Sequence, residues 1–356
     1  MRHLLFTLLA LVAIALAGCQ PAPAAESPGD AAPRLLTLLT HDSFAVSEGV
    51  IAQFEAEHNA TVNIITGGDA GTLTTQLALS AGAPPLADVV FGVDNTFLSR
   101  LLDAGVLLPY QSPLLAQIPA EFILDGDHRV TPIDYGDVCI NYDVAYFTAN
   151  ALPVPTDLNA LTDPAYADLL VVQNPASSSP GLAFLMATIA TYGEDGYLDY
   201  WAALRNNGVL VVEDWTTAYY SEFSGGSGAG TRPLVVSYAS SPPAEVFFAE
   251  TPPTTAPTAA LTAPLSCFRQ IEFAGILQGT ANPELAQALI DFMLSPTFQE
   301  DIPLQMFVFP VNPQAELPPV FVSYASIPAE PAVLNPIVIA ENRDTWIRDW
   351  TEVVLR

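Results

Sequence analysis

The run Ser178-Ser179-Pro180-Gly181-Leu182 sets two hydroxyls and a proline at the head of an apolar stretch. Hydroxyls and free backbone N–H groups at the positive end of a helix make an anion or hydroxyl site that needs no Lys. The same residues also make a good helix cap. Trp215 follows Glu213-Asp214 after an apolar run, and Tyr238 ends another just before Ala239-Ser240-Ser241-Pro242. Aromatic faces so placed stack planar heterocycles and attract cations, although either ring could equally serve a core. Polar residues follow two further apolar runs: Asp42 and Ser43 after the first, Asp94 and Asn95 after the second. Covalent chemistry finds less support. All ten cationic residues are Arg, so Schiff-base and phosphate-loop Lys chemistry is absent. Segment 224–230 (SGGSGAG) lacks Gly-Lys-Ser/Thr, and two residues after Ser227 stands Ala229 rather than the Gly of a nucleophile elbow. His41, His58 and His128 lie in no nucleophile motif, which leaves a secreted Ser-His-Asp hydrolase without a signature.

These residues need elements to position them. Short apolar or β-branched runs at 34–40, 61–66 and 88–92 predict strands, and periodic stretches at 46–58, 71–81 and 96–103 predict the helices between them. A second set follows from Asn141, with strands at 169–173, 208–212 and 234–238 and helices after Ser179, at 196–205 and from about Thr216. Residues 250–264 read as a Pro/Thr-rich loop and 267–276 as a strand; Asn282-Pro283 opens a helix with a capping Asn and Pro at its first position, and 341–355 form a last amphipathic helix. Alternating strand and helix of this kind indicates an α/β fold with a largely parallel sheet, whose ligands gather at the carboxyl ends of the strands. The polar residues above stand at such ends.

Composition narrows the function classes. With 38 Asp plus Glu against 10 Arg the net charge is −28, and so few cations cannot neutralise the phosphates of a nucleic acid. Residues 1–18 read as an export signal, with Arg2 followed by an apolar run. Leu16-Ala17-Gly18-Cys19 resembles the bacterial lipobox, which implies a lipid on Cys19, an extracytoplasmic location and a membrane-anchored chain. Residues 19–33, rich in Pro, Ala and acids, read as a flexible tether. Cys139 and Cys267 remain, an even pair for which an oxidising compartment favours a disulfide over two separate buried thiols. Neither has a second Cys or a His at zinc-ligand spacing, so no metal and no cofactor is expected.

From Leu35 to Leu355 the chain resembles the thiamine-binding components of ABC importers, extracytoplasmic substrate-binding proteins related to ferric-ion-binding proteins. The resemblance runs in order through Thr40-His41-Asp42-Ser43-Phe44, Ala87-Asp88-Val89-Val90 with Asp94-Asn95, and Pro132-Ile133-Asp134-Tyr135-Gly136. It continues through Gln173-Asn174-Pro175 to Ser179-Pro180-Gly181-Leu182, then Trp215-Thr216-Thr217-Ala218-Tyr219 and Ser237-Tyr238-Ala239-Ser240-Ser241-Pro242. It implies a type II periplasmic-binding-protein-like α/β fold: two lobes joined by crossing hinge strands, with the ligand cleft between them. Residues 34–134 would form one lobe and 135–265 the other, with 266–356 returning to the first and its C-terminal helices shared. The crossings would run near 134–142 and 266–276, which puts Cys139 and Cys267 on neighbouring strands.

Thiamine joins an aminopyrimidine to a cationic thiazolium with a hydroxyethyl or phosphate tail. The resemblance gives Trp215 and Tyr238 the stacking faces, Asp42, Asp94 and Asn95 the polar partners of cation and amine, and Ser178, Ser179 and Gly181 the tail. His41, Ser43, Tyr135 and Ser241, in the same stretches, complete the expected ligand-binding set. His41 stands where the family often has Tyr, and a further family aromatic falls at Ala244, which leaves open thiamine, its mono- or diphosphate, or another cationic heterocycle. The partners implied are this ligand and an ABC permease. The rival on the same fold is a ferric-ion receptor, which needs adjacent Tyr phenolates; Tyr219-Tyr220 is such a pair, but it follows Trp215, whereas the single Tyr238 occupies the place where that family carries its pair.

Overall fold

The computed structural model describes residues 32–226, 230–251 and 253–356. The expected export signal, Cys19, residues 19–31 of the tether and Ser227 lie outside the described residues. Eleven strands form one sheet: β1 (Arg34–Thr40), β2 (Ala60–Thr66), β3 (Val89–Asp94), β4 (Leu107–Leu108), β5 (Thr131–Asp143), β6 (Leu170–Gln173), β7 (Leu210–Val212), β8 (Leu234–Tyr238), β9 (Thr258–Leu261), β10 (Phe268–Leu277) and β11 (Phe309–Pro310). The spatial order is β2-β1-β3-β10-β5-β8-β6-β7, with β4 on β10 and β9 and β11 on β5.

Two parallel wings result. In one, β1 pairs with β2 and β3; in the other, β6 pairs with β7 and β8. Between them run β5 and β10, antiparallel to each other and to the wing strands they border. These are the crossing strands of a two-lobed α/β fold. All six residues of β3 are buried, which is why its run reads as continuous apolar sequence. The helix Ser179–Tyr192 is buried along its first eleven residues and packs inside the second lobe. A Cys139–Cys267 disulfide ties β5 to the residue before β10.

Several elements depart from expectation. Residues 250–264 are not all loop: β9 pairs with β5 from Ile140 to Asp143, an edge strand hidden in the sequence by flanking prolines. Asn282 does not cap its helix through the side chain; its amide donates to the Leu35 carbonyl. The C-terminal helix begins at Pro336, five residues early, because Asn335 caps it by accepting from the Ile337 amide. Its buried Arg343 donates to Ser99 and its exposed Asp344 pairs with Arg100, while its buried Trp350 packs edge-on against Trp201 at 5.4 Å.

Candidate ligand-binding cleft

The carboxyl ends of both wings face one cavity of about 340 Å³. At the end of β1, the His41 ring lies over Gly92 of β3, where a Cβ would sit 2.0 Å from its Cδ2. Gly92 has φ +93° and adjoins a bulge in the β3–β10 register, so only glycine fits there. His41 Nδ1 accepts from the Ser43 amide (3.1 Å), and Nε2 lies 3.5 Å from Glu272 Oε1 on β10. Asp42 accepts from the Gly68 amide, pinning the end of β1 to that of β2. Asp69, just beyond β2, caps the helix Ala70–Leu79 through the Ala70 amide (2.7 Å). Its other oxygen accepts from the Trp215 amide of the second lobe (3.2 Å). The lobes also meet where the Thr72 amide donates to the Ser177 carbonyl; a Cβ on Gly71 would stand 2.7 Å from that oxygen. The cleft is therefore closed along this edge.

From the second lobe, Trp215 stacks on Tyr219 (5.0 Å between centroids, 19° between planes) and donates through Nε1 to Ser237. Ser237 in turn shares a hydrogen bond with Ser241, which also accepts from the Tyr238 amide. This hydroxyl chain fixes both rings. Tyr238 lies against Gly136 of β5, where any side chain would collide with it at 2.6 Å. Ser179 opens its helix with a buried hydroxyl that has no hydrogen-bond partner and lines the cavity. Phe248, one helical turn beyond Ala244, brings an exposed ring to the mouth, 5.6 Å from Phe307. Phe307 itself has φ +55°, an uncommon conformation for a bulky side chain and one concentrated at ligand clamps.

The cavity thus unites His41, Asp42, Ser43, Ser179, Trp215, Tyr238 and Ser241. Five expected residues stand elsewhere. Tyr135 points to the opposite face of β5, stacked between Phe122 and Phe309 under the Arg269 guanidinium. Asn95 clips β10 by bonding the Arg269 carbonyl and Ile271 amide. Asp94 is fully buried behind the wall and accepts from the Thr96 amide; burial pushes its carboxyl up to about 7. Gly181 lets its helix approach β6, where a Cβ would meet the Gln173 carbonyl at 2.5 Å. Ser178 is buried and does not line the cavity, and its hydroxyl does not cap the helix.

Residues that the sequence reading did not select include Asp69, Glu272, Phe248 and the segment Gln305, Met306, Phe307 and Val308. Asp69 obeys the same strand-end rule that singled out Asp42. Burial pushes the Asp69 carboxyl up, opposed by the Ser178 hydroxyl and the Ala70 and Trp215 amides. The lining holds three carboxylates, Asp42, Asp69 and Glu272, and no Arg. Among the described residues no group of three His, Cys, Asp or Glu could hold a metal ion. Tyr219 is a poor phenolate ligand, since burial raises its pKa well above the ordinary value and its hydroxyl donates to Glu245.

Residues 84–328 match the family of bacterial extracellular solute-binding proteins. The chain is 30% identical to the thiamine-binding periplasmic protein of Escherichia coli strain K12, over 90% of this chain and 94% of that one. It is 28% identical to the protein of the same name from Brucella suis biovar 1, over 99% of both. Among solved structures, a periplasmic thiamin binding protein superposes with a TM-score of 0.80 at 28% identity, covering 91% of this chain and 97% of that one.

Proposed function

The chain belongs to the bacterial extracellular solute-binding proteins, and we propose that it captures thiamine or a thiamine phosphate between its lobes and presents it to an ABC permease. Like its named relatives, it is a binding protein rather than an enzyme, working outside the cytoplasm. The observation that carries the ligand assignment is the cleft lining: aromatic faces from Trp215, Tyr220, Tyr238, Phe248 and Phe307 beside three carboxylates, with no Arg. A planar cation finds stacking faces and opposite charge there, and an anion finds no Arg or Lys. The hydroxyethyl or phosphate end would lie at Ser179, where a free hydroxyl meets the N-terminus of a 14-residue helix. The protein's strongly negative field opposes a diphosphate at longer range.

Under this reading residues 34–134 and 135–265 move as lobes about β5 and β10, residues 266–356 serve both, and the ligand stabilises the closed arrangement by touching both at once. His41, Asp42, Ser43, Tyr238 and Ser241 line the site with Trp215 and Ser179. Cys19 would carry the lipid that tethers the protein near its permease; mass spectrometry of the membrane-extracted protein, with Cys19→Ala as control, tests that anchor. Calorimetry of ligand-stripped protein against thiamine, thiamine monophosphate and thiamine diphosphate tests the assignment. Micromolar or tighter binding of at least one is expected; binding of none overturns it.

A further inference from the structure

Beneath the cleft, Asp134 of β5 and Glu272 of β10 stand directly opposite in the antiparallel register. They share the strand face that carries Gly136 and Gln270, while Arg269, paired with Asp137, lies on the other face. Glu272 reaches the cavity and is almost buried; Asp134 is wholly buried, and neither of its oxygens accepts a hydrogen bond from a described donor. The titratable groups turned toward this pair from the surrounding elements are His41 after β1, Asp42, Asp69 after β2, Asp94 at the end of β3 and Tyr238 at the end of β8. None is a permanent cation. The Ser43 amide faces His41 Nδ1 and Glu272 lies 3.5 Å from Nε2; burial opposes charge on this ring, but Glu272, with Asp69 and Asp42, outweighs it and raises the His41 pKa.

His41 lies against Glu272 and not against Asp134, whose oxygens meet no donor among the described residues, and two opposed carboxyl groups out of water with no permanent cation between them do not both ionise. One proton must stay with the pair while the cleft is empty, and burial together with Glu272 holds the Asp134 carboxyl well above its ordinary range. A ligand that brings a fixed positive charge onto Glu272 supplies the missing counter-charge, and the proton becomes dispensable. We propose that Asp134 is a specificity-determining residue of this cleft: it holds Glu272 in a proton-sharing pair, so that binding a permanently cationic heterocycle expels a proton whereas an uncharged one does not. This inference rests on the proposed thiamine site. It gives the buried Asp134 a role that needs no ligand contact.

The test is calorimetry of the wild-type protein with thiamine at fixed pH, in buffers of different ionisation enthalpy. The enthalpy should vary with buffer in the sense of about one proton released per ligand bound, and affinity should fall about tenfold per pH unit as pH drops through the titration of Asp134. An uncharged aminopyrimidine should bind, if at all, without release. Asp134→Asn should keep thiamine binding and lose the proton release, and Glu272→Gln should lose both release and most affinity. Thiamine binding with a buffer-independent enthalpy overturns the proposal while leaving the thiamine reading intact; no thiamine binding overturns the reading itself. Release that persists in Asp134→Asn but disappears in His41→Gln would assign the proton to the imidazole and also overturn it.

Discussion

Replacing Trp215 tests the cleft most directly. One face of its indole is covered by Tyr219, the edge is held by Nε1–H to Ser237, and its backbone is tied to Asp69 across the lobes. Tyr220 meets the ring at 82° with centroids 5.5 Å apart, and the indole lines the cavity where a ligand would stack. Stacking an aromatic ring there is worth about 0.5–1.5 kcal/mol beyond area, and a desolvated cation over indole adds about 2 kcal/mol. Trp215→Ala should then cost about 2.5–3.5 kcal/mol, a loss of affinity of about 60- to 300-fold. Trp215→Phe keeps a flat face and forfeits the Ser237 hydrogen bond, worth about 1 kcal/mol, so a loss of about fivefold is expected. Calorimetry reads both values. Fluorescence supplies an independent readout, because Trp201, Trp346 and Trp350, the other three of the four tryptophans, are buried in the core around the C-terminal helix. Quenching by thiamine should come from Trp215 and vanish in Trp215→Phe. Affinity unchanged by Trp215→Ala, or quenching that survives without Trp215, would refute the placement of the ligand.

Removing the disulfide by Cys139→Ala with Cys267→Ala opens a loop of 128 residues. Chain entropy puts the loss at about 5 kcal/mol, read by urea unfolding, and an unchanged midpoint would contradict it. Gly71→Ala drives a methyl into the Ser177 carbonyl at the interlobe contact, so thiamine affinity should fall by about 5- to 100-fold, with a more open envelope in solution scattering; a closed, full-affinity variant would count against closure along this edge. Burial raises the Asp94 carboxyl from its ordinary value to about 7. Its protonated form is thus favoured in the native state, and the stability this gives is fully present below about pH 4 and lost as pH rises through 7. Asp94→Asn should flatten stability between pH 4 and 7, by up to roughly 4 kcal/mol; matching wild-type and variant profiles would show that Asp94 does not titrate there.

Much of this molecule can be read locally. The strand and helix periods survive tertiary packing because each wing is built from short buried strands and helices with one apolar face; strand-end placement marked Asp42, Ser43, Trp215 and Tyr238, and the family resemblance added His41 and Ser241. The failures share a cause. Tyr135 and Asp134 are neighbours on one strand, and side chains alternate, so one residue of phase decides which lies on the cleft side of the sheet. Sequence resemblance marked the segment but not the phase. Asp94 and Asn95 sit at a strand end as expected, but β3 is flanked by β1 and β10, so Asp94 is buried and the half-buried Asn95 spends its side chain on β10.

The sequence alone determined the α/β class, the family resemblance, the acidic charge and the presence of a Cys pair, because composition and periodicity are properties of short segments. Only the tertiary structure decided that the pair is bonded, that Asp69 reaches Trp215, that Phe248 and Phe307 meet at the cavity, and that Asp134 lies opposite Glu272. Each of these joins residues from separate elements, in several cases more than a hundred positions apart. Such meetings depend on strand order and register, which long-range packing chooses and no local pattern records.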